Sequence, residues 1–510
     1  METVGFLLNG FQEALTPLNI FLALVGCFIG TIIGALPGIG PVNGVAILIP
    51  LAFTLQLPAG SALILMSCVY YGCMYGGRIS SIMLNIPGDE PAMMTCLDGY
   101  PMAKSGKAPE ALAISGIASF VGGATSTVGL MLFAPILVQF AIHFGPAEYF
   151  SLYVLAFVTI GGVTGSNPAK TLLAATIGLM LGTVGLDPQS GVARFTFGDI
   201  HLYDGFQPIV AIVGLFAISE VLVLLETHHS ERTGALPVNR AFARWADIKG
   251  TFGTMIRGSG VGFIAGVLPG AGASLGSFLA YTIERRISDE GNTFGTGNPK
   301  GVAAPEAGNN AAAGGALVPM LALGVPGSGT TAVLLALLIS LNITPGPLLF
   351  QDQPQLVWGL IASLFMANVF LLLLNLPLVG VFTRMLSIPL WALMPFVVMI
   401  SFVGVYSISH STFDLVVMAA FGIFGFILRK LDIALVPVVL GLLLGSAMEA
   451  NMRRALAISA GDPWIFVSSS ISIGLYVATA LFLVAAIYMA VSNRPLIDKP
   501  NEDEKGLNAD

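Results

Sequence analysis

A proline-glycine break recurs inside apolar sequence, and it limits the folds open to this chain more than any other feature. The first copy runs Gly30-Thr-Ile-Ile-Gly34-Ala-Leu-Pro37-Gly38-Ile-Gly40, and the second runs Gly262-Phe-Ile-Ala-Gly266-Val-Leu-Pro269-Gly270-Ala-Gly272. Both read G-x3-G-x-L-P-G-x-G and lie 232 positions apart. Pro and Gly end a helix and release its terminal N–H and C=O groups. In a bilayer such groups must be satisfied by protein or by a watery cavity. Matched breaks in two halves of one chain point to a transporter binding site.

The surrounding sequence requires a membrane setting. Of 510 residues, 55% are hydrophobic and only 10% charged, where a soluble domain carries about 25% charged residues. The mean hydropathy is +0.87. The expected fold is an all-α polytopic membrane protein. At roughly 20 residues per crossing, the apolar runs give about 12 transmembrane spans plus re-entrant pieces. The interrupted runs lie near 41–57, 254–268, 271–283 and 328–343. No Lys or Arg precedes the first apolar run, so a cleaved signal is not expected. Cys27, Cys68, Cys73 and Cys96 read as packing residues. The histidines have no metal-site spacing, so no transition-metal site is expected.

The repeat extends further. Asn85-Ile-Pro87-Gly88 is matched by Gly324-Val-Pro326-Gly327, 239 positions on, and Phe150 to Gly182 aligns with Phe413 to Gly445 at 263. The growing offset is what loop insertions produce. The expected organisation is a first membrane repeat over 1–227 and a basic cytoplasmic linker over 228–257. A second repeat over 258–492 and an acidic, disordered tail over 493–510 follow. Lys104 and Lys107 follow the second break of the first half, and the equivalent segment of the second half has no basic residue. Arg285, Arg286 and Lys300 follow the first break of the second half, and again the equivalent segment has none. Basic residues concentrate on the cytoplasmic side. Opposite basic content in equivalent loops therefore predicts inverted-topology repeats with broken or re-entrant helices. A parallel repeat with irregular loop charge is the alternative.

The breaks supply candidate site residues. Pro37, Gly38, Gly40, Asn43 and Gly44 surround the first, and Pro269, Gly270, Gly272, Ser274 and Ser277 surround its partner. Free N–H groups and the positive dipole end of the following helix would face each break, an arrangement that binds carboxylate. These ten are the substrate-binding candidates. A close-packed structural kink is the plainer reading of any one of them. The ion-coupling candidates are Asn85, Asp89, Thr95, Asn309, Asn310, Ser328, Thr330 and Thr331. Asp89 and Glu90 can be cation ligands or proton carriers, or hydrated acids at the membrane surface. The Asn pair can present amides to an ion or cap a helix. Arg78 can pair with a carboxylate or snorkel. Glu220 sits in an apolar run, as intramembrane functional acids do, or lies near its edge.

Together these motifs resemble the large membrane subunit of the tripartite tricarboxylate transporters, the TctA family. The resemblance runs from about Gly26 to Trp464. It rests on Gly34-Ala-Leu-Pro-Gly-Ile-Gly40, Tyr71-Gly-Cys-Met-Tyr-Gly-Gly77, Asn85-Ile-Pro-Gly88 and Asp98-Gly-Tyr-Pro101 in the first half. In the second half it rests on Gly266-Val-Leu-Pro-Gly-Ala-Gly272, Ala304-Pro-Glu-Ala-Gly-Asn-Asn310 and Gly324-Val-Pro-Gly327. The chain departs from the family pattern at Gly308 and Arg78.

The resemblance implies a multi-pass permease of the bacterial inner membrane. It would work with a small TctB-like membrane subunit and a periplasmic, TctC-like solute-binding protein. Import of citrate or a related carboxylate by sodium or proton symport follows from it, with Na+ as the expected coupling cation and no other cofactor. No nucleotide-binding P-loop pattern is present, and no nucleic acid partner or enzymatic activity is expected. An ion channel would share the hydropathy but conduct without coupling. A membrane-embedded enzyme would need a convergent catalytic set that the breaks do not offer.

Overall fold

The computed structural model describes residues 2–163, 168–187, 189–226, 240–270, 272–289, 291–386 and 394–491. The linker stretch from His228 to Asn239 and the tail from Asn493 fall outside the described residues. The protein is an all-α polytopic membrane protein. Among the described residues, seven helices are long and apolar enough to cross a membrane. Gly40–Thr54, Pro168–Leu181, Gly329–Ser340, Met394–Ser409 and Ser470–Val484 are shorter apolar helices. Helix Trp245–Val267 begins inside the segment read as linker. The apolar run 302–323 forms two helices, Pro299–Gly315 and Leu317–Leu323. Pro319, lacking an N–H, cannot bond back to Gly315 there. A hairpin of two-residue strands, Gly185–Leu186 paired with Ala193–Arg194, is the small exception to an all-helical fold among the described residues.

Local chemistry sets the breaks. A residue before Pro is pushed out of the α region, and Leu36 (φ −76°, ψ 117°) and Leu268 (φ −72°, ψ 121°) end their helices there. Gly38 and Gly270 follow at φ +87° and +79°, a left-handed conformation that favours glycine. Helices Gly40–Thr54 and Gly272–Ser288 then start. At the second breaks, Asn85 (φ 56°) and Gly324 (φ 70°) are the left-handed C-caps of Ala59–Leu84 and Leu317–Leu323.

The two halves also repeat their packing. Helix Pro17–Ala35 lies beside Ala59–Leu84 so closely that a Cβ on Gly34 would sit 2.1 Å from the carbonyl oxygen of Cys73. In the second half a Cβ on Gly266 would sit 2.2 Å from the carbonyl oxygen of Ala312. Gly30 meets Val69 and Gly262 meets Gly308 in the same way. Each contact pair is carried onto its counterpart by the same sequence offsets as the motifs. Both pairs of helices run parallel, because the contacts climb together along each partner. Helix Ala59–Leu84 is apolar almost all round, and nearly all of its side chains are buried between the halves.

Candidate functional site

All four breaks, two from each half, line one cavity of about 550 Å3. Its wall takes Gly38, Ile39 and Gly40 from the first break, Pro87 to Pro91 from the second, Gly270 and Gly272 from the third, and Ser328 to Thr330 from the fourth. Helices Gly40–Thr54, Gly272–Ser288 and Gly329–Ser340 each begin at this wall. Their first N–H groups lack intrahelical partners, and their dipoles turn the positive end inward.

The substrate-binding candidates divide. Gly38, Gly40, Asn43, Gly270, Gly272 and Ser274 line the cavity. Pro37 and Pro269 shape the bends behind it. Gly44 packs against Ile33 and Cys73. Ser277 is buried, its hydroxyl donating to the carbonyl oxygen of Pro91 at 2.7 Å. Ser274 Oγ donates to Glu90 Oε2 at 3.3 Å, so the third break touches the second across the halves.

The ion-coupling candidates divide as well. Asp89, Ser328 and Thr330 line the cavity. Asp89 is buried; Oδ1 accepts from the Ala92 N–H at 3.0 Å, and Oδ2 has no hydrogen-bond partner. Ser328 caps Gly329–Ser340 by accepting from the Thr331 N–H, while the Thr331 hydroxyl accepts from the Ser328 N–H at 2.8 Å. Asn85 is exposed at its helix end. Thr95, Asn309 and Asn310 lie away from the cavity wall in a buried seam. There the Thr95 hydroxyl donates to Glu306 Oε1 at 2.6 Å and the Ser119 hydroxyl to Oε2 at 3.0 Å. Asn310 Nδ2 donates to the Glu306 carbonyl oxygen, and neither side-chain polar atom of Asn309 has a partner. Arg78 does not snorkel. It is fully buried, donating to the Leu112 carbonyl, Ser115 Oγ and Asn375 Oδ1 at 2.7, 2.9 and 3.2 Å.

Among the cavity residues that the sequence candidates do not include are two with polar side chains, Tyr70 and Arg429. Tyr70 lies on Ala59–Leu84, the most buried of the seven long apolar helices, where an aromatic reads as core. Arg429, at the end of helix Thr412–Lys430, reads as an ordinary membrane-edge cation. It pairs with Glu220, whose carboxylate also accepts from Asn43 Nδ2 at 2.8 Å. The signal that could have found it was Glu220 itself, since an acid in an apolar run needs a cationic partner.

Broken helices that meet at one half-open cavity, in a helical multi-pass chain, are the arrangement of a membrane transport protein. Residues 20–440 match the model of the tripartite tricarboxylate transporter TctA family, and the chain belongs to that family. It is 39% identical over 494 residues to an uncharacterized 52.8 kDa protein in the TAR-I ttuC′ 3′ region of Agrobacterium vitis, covering 97% of this chain and 98% of that one. It is 38% identical over 233 residues to an uncharacterized protein in the TAR-II ttuC′ 3′ region of the same organism, covering 46% of this chain and 96% of that one. No solved structure matches it significantly.

Proposed function

We propose that this chain is the permease subunit of a binding-protein-dependent secondary transporter that imports citrate or a related organic carboxylate by sodium or proton symport. Its partners in this reading are a small TctB-like membrane subunit and a periplasmic TctC-like solute-binding protein, and its site is the bacterial inner membrane. The observation that carries the proposal is the convergence of four breaks on one cavity. Each helix N-terminus there contributes roughly 0.3–1 kcal/mol toward an anion, up to about 2 when partly buried. Several are needed to desolvate a multiply charged substrate.

Coupling follows from charge. Asp89 and Glu90 share the wall with these anion-attracting helix ends. A carboxylate entering beside two acids is repelled unless a cation accompanies it. The unpartnered Asp89 Oδ2 is the natural ligand for that cation, Na+ or a proton.

The arrangement of about 12 spans in two inverted repeats is part of the same reading. Reciprocal contacts support a two-fold relation: Ser274 meets Glu90, and the equivalent Val42 meets Gly329. The ends of helices Gly40–Thr54 and Gly272–Ser288 support opposite insertion. Gly60, after the first, lies beside Glu13. The loop after the second closes on Asp98, which precedes Lys104 and Lys107 in sequence. Uptake of labelled citrate into proteoliposomes holding this chain and both partner subunits tests the proposal. Accumulation that requires an inward sodium or proton gradient is expected. Uncoupled flux of many small ions would replace it with a channel.

A further inference from the structure

Arg429 is the one cationic side chain among the described residues of the cavity wall. It stands in the last turn of helix Thr412–Lys430. Its Nη1 donates to Glu220 Oε2 at 2.5 Å and its Nη2 to Asn43 Oδ1 at 3.3 Å. Asn43 Nδ2 closes the triangle by donating to the same Glu220 oxygen at 2.8 Å. Three elements thus meet: the end of Thr412–Lys430, the interior of Pro208–Glu226 and the first turn of the re-entrant helix Gly40–Thr54. The Glu220 side chain is 7% exposed and that of Arg429 is 25% exposed, so the guanidinium is the member of the pair that reaches open space.

A guanidinium carries five N–H donors in a rigid fork. Glu220 and Asn43 use two, and three have no partner among the described residues. From this geometry we infer that Arg429 is the carboxylate-selecting residue of the cavity. It offers its free N–H groups to one carboxylate of the substrate, and Glu220 and Asn43 are positioning residues that aim the fork. The inference rests on the carboxylate-import reading above. The Arg429–Glu220 pair has no net charge, so the cavity wall carries no uncompensated cation among its described residues. An incoming anion shares the guanidinium with Glu220. The rest of its charge falls on the helix ends and the co-transported cation, which ties anion selection to coupling. A planar fork favours carboxylate over a spherical anion through paired parallel hydrogen bonds.

The competing role for Arg429 is neutralisation of the buried Glu220 alone. Initial-rate citrate uptake separates the two in proteoliposomes with both partner subunits, comparing wild type, Arg429→Lys, Arg429→Gln, and Arg429→Gln combined with Glu220→Gln. Loss of charge-assisted hydrogen bonds is expected to raise KM about 10- to 100-fold in Arg429→Gln, with a smaller rise in Arg429→Lys and a lesser change in maximal rate. The double variant leaves no unpaired buried charge, so it reports even where the single variant misfolds. Its KM is expected to stay raised. A double variant with wild-type KM, or a folded Arg429→Gln with unchanged KM, overturns the assignment and leaves the import reading standing. Wild-type protein that takes up no carboxylate under either gradient defeats both.

Discussion

Asp89 and Ser328 occupy the same place in the two halves. Each accepts, with a side-chain oxygen, from the N–H three residues on, Ala92 for Asp89 and Thr331 for Ser328; Ser328 caps helix Gly329–Ser340, and Asp89 closes the turn that precedes helix Met93–Met102. Each lies against the equivalent glycine of the neighbouring break. The Asp89 Cβ is 3.6 Å from a Cβ position on Gly40, and the Ser328 Cβ is 3.9 Å from one on Gly272. The halves differ there by one oxygen and one charge, and the extra oxygen, Asp89 Oδ2, is buried without a partner.

That difference predicts where coupling resides. Asp89→Asn keeps an acceptor for Ala92 and removes the charge. It is expected to retain folding while uptake loses its dependence on the driving cation. Ser328→Ala removes only a cap, at a cost of about 1 kcal/mol, and is expected to keep the cation dependence. Uptake measured with and without an inward sodium or proton gradient distinguishes the two; unchanged dependence in Asp89→Asn would remove Asp89 from the coupling site.

The backbone seams predict a sharp gradient among glycine substitutions. Gly34→Ala would place a carbon 2.1 Å from a carbonyl oxygen, so a helix must shift. Overpacking of this kind costs about 1–3 kcal/mol. Gly474→Ala meets nothing within 4 Å. A lowered midpoint for the first and an unchanged one for the second are expected in thermal aggregation monitored by size-exclusion chromatography.

Asp98 predicts a local opening. Its Oδ1 accepts three backbone N–H groups of the second half, from Gly295, Gly297 and Asn298, at 2.9, 2.9 and 2.7 Å. Its Oδ2 accepts from the Tyr281 hydroxyl at 3.0 Å. Hydrogen bonds to a charged group contribute about 1.5–3 kcal/mol each. Asp98→Ala is expected to release the loop 291–298, read as faster amide hydrogen exchange there with little change in helix Gly329–Ser340.

Outside the membrane, Asp187 predicts a pH limit. The Gln189 N–H, then Ser190 and Arg453, hold its carboxyl at about 2; Arg453 Nη1 lies 2.9 Å from Oδ2. An unfolded Asp titrates near 3.9. A depressed folded value stabilises above the unfolded value and is lost as pH falls through the folded one. Exchange protection of the hairpin Gly185–Arg194 is therefore expected to hold from neutral pH down to about 4 and to fall between about 4 and 2.

The breaks were legible because proline and glycine act locally. Leu36, Gly38 and Gly40 take the conformations that their own types and the following proline require, and Leu268, Gly270 and Gly272 do the same. The repeat was legible because equal offsets survive as equal contacts. Arg429 was not, since its role depends on Glu220 and Asn43, which are distant in sequence. Thr95, Asn309 and Asn310 carried the right chemistry for an ion site, but their helices turn them into the seam around Glu306. Polar residue type indicates a need for partners; only the packing of Pro299–Gly315 decides which partners are met.

The glycine seams have a mechanical consequence. Where Gly34 rides on Cys73 and Gly266 on Ala312, carbonyl lies against Cα with no side chain between them. Such joints are stiff, because no rotamer can relax to absorb a displacement. Helices Thr412–Lys430 and Pro208–Glu226 are joined in the same way, Gly425 against the carbonyl oxygen of Leu215 and Gly214 against that of Met418, whereas Asn43 on helix Gly40–Thr54 reaches that pair through side-chain hydrogen bonds to Glu220 and Arg429. Side-chain rotation at Asn43, Glu220 and Arg429 can therefore absorb a displacement of helix Gly40–Thr54 against that pair that the glycine joints cannot.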